Sequence, residues 1–190
     1  MGAFSGTTLA FQTLAIGSQT LTLDSESAVT SSGIIAQAGG VVTGAGKLTV
    51  NGKYLWTGGT ITGASTVSIT SAGLMELSGS NAKYLKDGRV IANEGTITFD
   101  GSGDWEGSEG AKVNNQGTFD IKNQATLKNG RNGQIPAINI SGNFLKSDGV
   151  YNTIEWEFNN QGGAVAIAVQ ALVFTGGGTS SGPFTCASGT

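Results

Sequence analysis

The sequence predicts an all-β chain wound as a parallel β-solenoid of about eight coils, each of 20–25 residues. Three observations carry this. Apolar and small polar residues alternate in short bursts along the whole chain. Glycine and asparagine punctuate the bursts at turn spacing. One block of sequence recurs at a near-constant interval.

The bursts run in chain order. Leu9/Phe11, Leu14/Ile16 and Leu21/Leu23 come first, then Leu48/Val50 and Val67/Ile69. Ile97/Phe99 and Phe119/Ile121 follow, then Ile154/Trp156/Phe158 and Val165/Ile167/Val169. Residues two apart on a strand share a face, so each burst is a strand with one apolar side. The 32 glycines and only 2 prolines fit a chain that turns often without leaving its sheets. Helix formers never cluster for long, which argues against a bundle.

The recurring block is Ala92-Asn93-Glu94-Gly95-Thr96-Ile97-Thr98-Phe99. It returns as Asn114-Asn115-Gln116-Gly117-Thr118-Phe119-Asp120-Ile121 and again as Asn159-Asn160-Gln161-Gly162-Gly163-Ala164-Val165-Ala166-Ile167. The marker glycines 95, 117 and 162 are 22 and 45 residues apart, with a degenerate copy at Ile140-Ser141-Gly142-Asn143-Phe144 between the last two. A unit this short cannot fold alone but can be one coil of a stack. With strands about 4.8 Å apart, eight coils make a rod on the order of 40 Å long. Ile97, Phe119 and Val165 are expected in one inward ladder, and Phe99, Ile121 and Ile167 in a second. Thr96, Thr118 and Ala164 should face outward. Asn93, Asn115 and Asn160 are expected to form an amide ladder at the turn, with Gly95, Gly117 and Gly162 as its corner backbone. A Greek-key sandwich also has short, evenly spaced strands, but nothing in its topology asks for a recurring Asn-x-Gly-Thr block.

Tyr54-Leu55-Trp56-Thr57-Gly58-Gly59-Thr60-Ile61-Thr62-Gly63-Ala64-Ser65-Thr66-Val67-Ser68-Ile69 and the Asn-Asn-x-Gly-Thr blocks resemble the repeats of large bacterial surface proteins, the autotransporter passengers and filamentous haemagglutinins. Ser65 stands where that pattern has a further glycine. The resemblance spans roughly residues 40–175. It implies a right-handed parallel β-helix at the cell surface or outside the cell, in a structural or adhesive role.

Composition limits the chemistry. Charged residues are 12%, about half the usual quarter. Net charge is −3, with no basic cluster, so nucleic acid is not an expected partner. There is no histidine, which removes the commonest general base and zinc ligand. Cys186, the one cysteine, has no internal partner. No apolar run is long enough to span a membrane as a helix. No catalytic residue, cofactor or metal site is expected.

Asp100–Glu109 offers oxygen ligands at alternate positions for calcium, but Trp105 sits where an EF-hand needs glycine, and the run reads as a solvated turn. Glu155 and Glu157 read as outward acids on one strand, spaced for glycosidic chemistry but not flanking a substrate. Lys83–Arg89 could supply a lyase base and reads better as a charged turn. Among the aromatics, Trp105 is expected to be the most exposed, with Tyr54 second, as glycan contacts. Trp56 and Trp156 are expected in the core. Threonine pairs 20/22, 60/62 and 96/98 suggest an ice-binding array that later coils break.

The expectation is a single module over residues 1–190, non-enzymatic, forming a rigid rod. The alternative is a carbohydrate-active β-helix, a lyase or glycan binder, with a site on a side face. Met1–Gly6 carries no leader signature and the last residues still read as strand. Flanking repeats or other copies are therefore expected end to end, with surface polysaccharide as a further partner.

Overall fold

The computed structural model describes residues 11–24 and 32–187 in full, and the backbone alone of residues 3–4, 8–9 and 27–29. The readings placed on Met1–Gly6, on the face taken by Leu9, and on residues 188–190 fall outside the fully described residues. The described residues contain no helix. They form a parallel β-solenoid of eight full coils and part of a ninth.

Each full coil is three short strands, and through these coils each strand pairs with the third one along the chain. Nine strands stack into a first sheet, eight into a second and nine into a third. The coil around Phe119 is representative. Trp105–Gly107 lies in the first sheet, Lys112–Asn115 in the second and Thr118–Ile121 in the third. In the ninth coil the second sheet is reduced to a lone bridge between Asn160 and Ser180.

Registers are parallel throughout. Thr96–Phe99 pairs with Thr118–Ile121, placing Ile97 beside Phe119 and Phe99 beside Ile121. Phe119 continues to Phe144, and Phe144 to Val165, so the expected inward ladder runs through the intervening coil. The second ladder does the same with one surprise. Between Ile121 and Ile167 the inward position is Lys146, which is fully buried. Thr96 and Thr118 lie outward and half-buried, and Ala164 is exposed.

The interior is packed by rings that cross coil boundaries. Trp105 meets Trp56 edge-on at 5.9 Å and Trp156 at 5.2 Å. Phe119, Phe144 and Phe158 continue the stack at 5.1 and 5.0 Å. These edge-to-face contacts add to area burial, about 0.5–1.5 kcal/mol per pair.

The corner between the second and third sheets explains the recurring block. The coil turns there in two residues, and successive coils pack so closely that only glycine fits. A Cβ on Gly117 would collide with the Gly95 carbonyl oxygen, and one on Gly95 with the Gly73 carbonyl oxygen. The stack continues upward through Gly142, Gly163 and Gly182, each pressed on the glycine carbonyl below. Lower in the column these carbonyls accept the N–H that follows the next glycine: Gly95 from Thr118 at 2.9 Å and Gly117 from Asn143 at 2.8 Å.

The structure departs from the sequence reading at Gly162 and at Asn160. The register equivalent of Gly117 in the eighth coil is Gly163, because Asn143 pairs with Ala164. Gly162 stands one residue earlier, at φ 89°, where a left-handed turn needs it. The amide ladder is also shorter than expected. Asn93 donates to Asn115 Oδ1 at 2.6 Å, and Asn115 donates to the Asn143 carbonyl at 2.8 Å. Asn160 is not joined to them, because Ile140 occupies the same column between. Both polar atoms of its amide are buried without a partner.

Two comparisons test this architecture by denaturant melts. Phe119→Ala should cost roughly 3–5 kcal/mol, and Thr96→Ala under about 1 kcal/mol. Gly117→Ala should cost on the order of 3 kcal/mol through the carbonyl collision. Gly17→Ala, where nothing lies within 4 Å, should stay within about 0.5 kcal/mol.

Candidate functional site

The outer faces are plain, and most chemistry-bearing side chains are not on them. Trp105 and Tyr54, expected as glycan contacts, are both fully buried. Trp105 is the first residue of its strand and pairs with Lys83 and Leu127, so Gly103 and Asp104 before it form a corner, Glu106 after it faces outward, and its indole points inward. Tyr54 also points inward, and its hydroxyl donates to Gln37 Oε1 at 2.7 Å. Leu55 takes the outer face between Tyr54 and Trp56.

The acidic run is dispersed in the same way. Asp104 accepts the Thr126 N–H at 2.9 Å at one corner. Glu106 lies on the outer face of the first sheet, and Glu109 accepts from Asn132 Nδ2 at 2.8 Å at the next corner. Among the described residues no three His, Cys, Asp or Glu side chains converge. Glu155 and Glu157 do not share a strand. One strand ends at Ile154 and the next begins at Glu157, so the pair straddles a corner between two sheets. The threonine pairs also separate: Thr20/Thr22 and Thr60 lie in the first sheet, Thr96/Thr98 in the third.

The basic run splits between inside and outside. Lys86 lies over the Tyr84 ring at 4.9 Å. Lys83 and Arg89 are fully buried, as is Lys146. Lys83 Nζ donates to the Asn81 carbonyl at 2.9 Å. Lys146 Nζ donates to the Asn123 carbonyl at 2.5 Å and to that of Asp148. Arg89 reaches the Gly44 carbonyl at 3.0 Å through Nη1, while Nε and Nη2 have no partner. Burial holds all three cations below their ordinary pKa, with partial compensation from Asp100 at Lys83, Tyr54 at Arg89, and Asp148 and Asp120 at Lys146.

One coil breaks the plain pattern. In the seventh coil the first and second sheets are joined by residues 130–136, where the coil below uses only 108–111. This is the source of the 25-residue step to Gly142. The base of the loop is packed into the core. Pro136 is buried, and Trp156, from the coil above, is buried beside Gly107 with its Nε1 donating to the Lys128 carbonyl at 3.0 Å. Gly107 makes room for both, since a Cβ there would strike the Trp156 ring at 2.5 Å and Pro136 at 2.7 Å.

Beside the loop lies a groove of about 310 Å³, lined by Asn129, Arg131, Ile135, Glu155, Thr175 and Gly176. Asn129 Oδ1 accepts the Arg131 N–H at 2.9 Å, and Glu155 Oε2 accepts the Asn129 N–H at 3.0 Å. Arg131 sits at φ 55° and Ile135 is 51% exposed. Of these residues, only Glu155 drew attention in the sequence. The signal that could have found the rest is the excess length of that coil.

A second concavity, about 240 Å³, lies at the ninth coil among Phe158, Phe174 and Phe184 and residues 177–180. Phe158 is buried, while Phe174 and Phe184 are exposed at the end of the ring stack. Exposed Cys186 ends the same strand as Phe184.

Comparison of the chain with protein-family models, with curated proteins and with solved structures returned no match. The fold alone therefore defines its class, a parallel β-solenoid.

The buried lysines have a consequence for pH. A lysine whose folded pKa is lowered binds fewer protons folded than unfolded, so its penalty holds while both states are charged. The penalty is relieved as pH rises through the folded pKa toward about 10.4, the ordinary lysine value. Tyr54 opposes this at higher pH. Burial raises its pKa far above the ordinary phenol value, so stability falls once the unfolded phenol ionises near pH ~10. Thermal melts between about pH 8 and 9.5 should show stability rising with pH, and Lys146→Met should flatten the slope. A slope unchanged by the substitution would place the titration elsewhere.

Proposed function

We propose that this chain is a non-enzymatic structural module of an extracellular or cell-surface rod, wound as a right-handed parallel β-helix. Its end meets the next repeat or another copy, and its outer face meets surface polysaccharide or protein. The hand follows the strong preference of parallel crossover connections. The dispersal of the acids and the burial of Lys83 and Arg89 favour a structural role over catalysis.

The observation that carries the reading is the ninth coil. Ala171–Phe174 and Phe184–Cys186 end their sheets, each with a described strand on one side only. Val173, Phe174 and Phe184 are exposed there, although Ile154 and Val165, the coil-eight partners of Phe174 and Phe184, are buried. Unpaired strand edges over open apolar core are templates for further strands. A contact of that kind is heterologous and does not close, so it lengthens a rod.

Electron microscopy and sedimentation of the purified chain test this. Wild type should form particles that lengthen with concentration and bind a dye for exposed apolar surface. Phe174→Asp with Phe184→Asp should shorten them. A monodisperse monomer at every concentration that binds no dye would overturn the reading. A glycan-binding role is the second reading, and the groove beside residues 130–136 is the observation that favours it.

A further inference from the structure

We infer that the groove beside residues 130–136 binds a sugar acid, a pyranose unit bearing a carboxylate, on the side of the rod. This deepens the glycan-binding reading and does not depend on end-to-end growth.

The argument starts from placement. In a stack of near-identical coils, an insertion in one repeat maps to one face and is where binding function concentrates. Here the insertion is not loose. Trp156, Pro136 and Gly107 lock its base, so the groove wall is held by the core. At about 310 Å³ it is at the small end of ligand pockets.

The lining then selects the ligand. Arg131 is in neither of the ion pairs formed among the described residues, so its guanidinium is free of a carboxylate. A planar fork of donors matches a carboxylate in bidentate fashion. Around it stand groups of both hydrogen-bonding kinds. Glu155 has one carboxylate oxygen engaged by the Asn129 N–H, which leaves the other as an acceptor. Asn129 has its oxygen engaged by the Arg131 N–H, which leaves its Nδ2 as a donor. The Thr175 hydroxyl donates to the Ile154 carbonyl at 3.4 Å and can accept from a ligand. Vicinal hydroxyls donate and accept at once and satisfy such a mixed set. A free amino acid would engage Arg131 and Glu155 but leave the Asn129 donor and the Thr175 acceptor unmatched. Exposed Ile135 supplies the apolar wall against which a sugar's C–H face packs. Its lining comes from three successive coils on one side of the stack, so a polymer lying across them can enter it.

Titration calorimetry of the whole chain with an oligogalacturonate, its methyl ester, a neutral oligosaccharide of equal length and free glutamate tests this. The acid should bind, weakening with added salt. Esterification should weaken it about tenfold or more, as should Arg131→Gln, which keeps the backbone demand at 131 similar. Arg131→Lys should fall between, because charge remains while the fork is lost. Glu155→Gln should weaken acid and ester alike. Circular dichroism and sedimentation should be unchanged in the Arg131 variants, so a loss of binding is not a loss of fold or rod. The inference is overturned by no saturable binding of the acid, by equal binding of acid and ester, by indifference to Arg131→Gln, or by tighter binding of free glutamate. None of these outcomes bears on whether the chain forms rods.

Discussion

The contact of one corner glycine with the carbonyl of the glycine beneath it sets the geometry of this molecule. Gly73, Gly95, Gly117, Gly142, Gly163 and Gly182 stand in one column, and a methyl group at most of these positions would enter the backbone below. The column fixes where each coil turns from the second sheet into the third. Once that point is fixed, strand register follows, because the carbonyls of Gly73, Gly95, Gly117 and Gly142 each accept the N–H just after the next glycine. A slip of one residue would put a side chain into the column and turn every inward residue outward. Coil length elsewhere is free to vary, which is how the seventh coil carries extra residues without disturbing the pairing of Phe119 with Phe144.

A parallel stack also puts side chains of one column in direct contact from coil to coil. Phe119 and Phe144 meet in this way, and the other contacts of the ring stack from Trp56 to Phe158 join rings of different sheets, or of a sheet and the Glu155-Trp156 corner, across the interior. The polar interlopers use it differently. Burying an ammonium without a partner is costly, and a counter-ion need not repay that cost. Lys83 and Lys146 sit at strand ends beside corners, where the turning backbone exposes carbonyls toward the interior, and these accept from them. The amides of Asn93 and Asn115 do the same beside the tight corner, donating to the carbonyls of Thr118 and Asn143. Arg89 is the exception, with only one of its nitrogens engaged.

The outer faces repeat the same economy of types. On the second sheet Asn139 donates to Asn114 at 2.8 Å and Asn159 to Asn139 at 3.2 Å, an external amide ladder one position before the internal one. The paired asparagines of the block thus point to opposite faces, one stitching the outside of the sheet and one the inside of the corner. On the third sheet Lys53 and Glu76 form a partly exposed pair at 2.6 Å, of a kind that contributes about 0–1 kcal/mol. Against this regular surface, the loop at 130–136 is the main irregularity.

Much of the fold was legible in the sequence because it rests on local rules. Period-two alternation names the inward residues, and a recurring Asn-x-Gly-Thr block names the coil, so the ladder of Ile97, Phe119 and Val165 follows from residues alone. What the sequence could not decide was where each strand ends within a burst. Glu155 and Glu157 alternate correctly yet lie on different sheets, because a corner as tight as Glu155-Trp156 preserves the alternation while changing the face. Trp105 looked exposed because its neighbours are glycines and acids, and only stacking against Trp56, Phe119 and Trp156 places it inside. Lys146 sits at a core position that no local rule would give a lysine, since the carbonyls that accept from it belong to corners 23 residues and 2 residues away. The groove was hidden for the same reason. Arg131 and Glu155 are brought together by the stacking of one coil on another, a relation that exists only once the chain is wound.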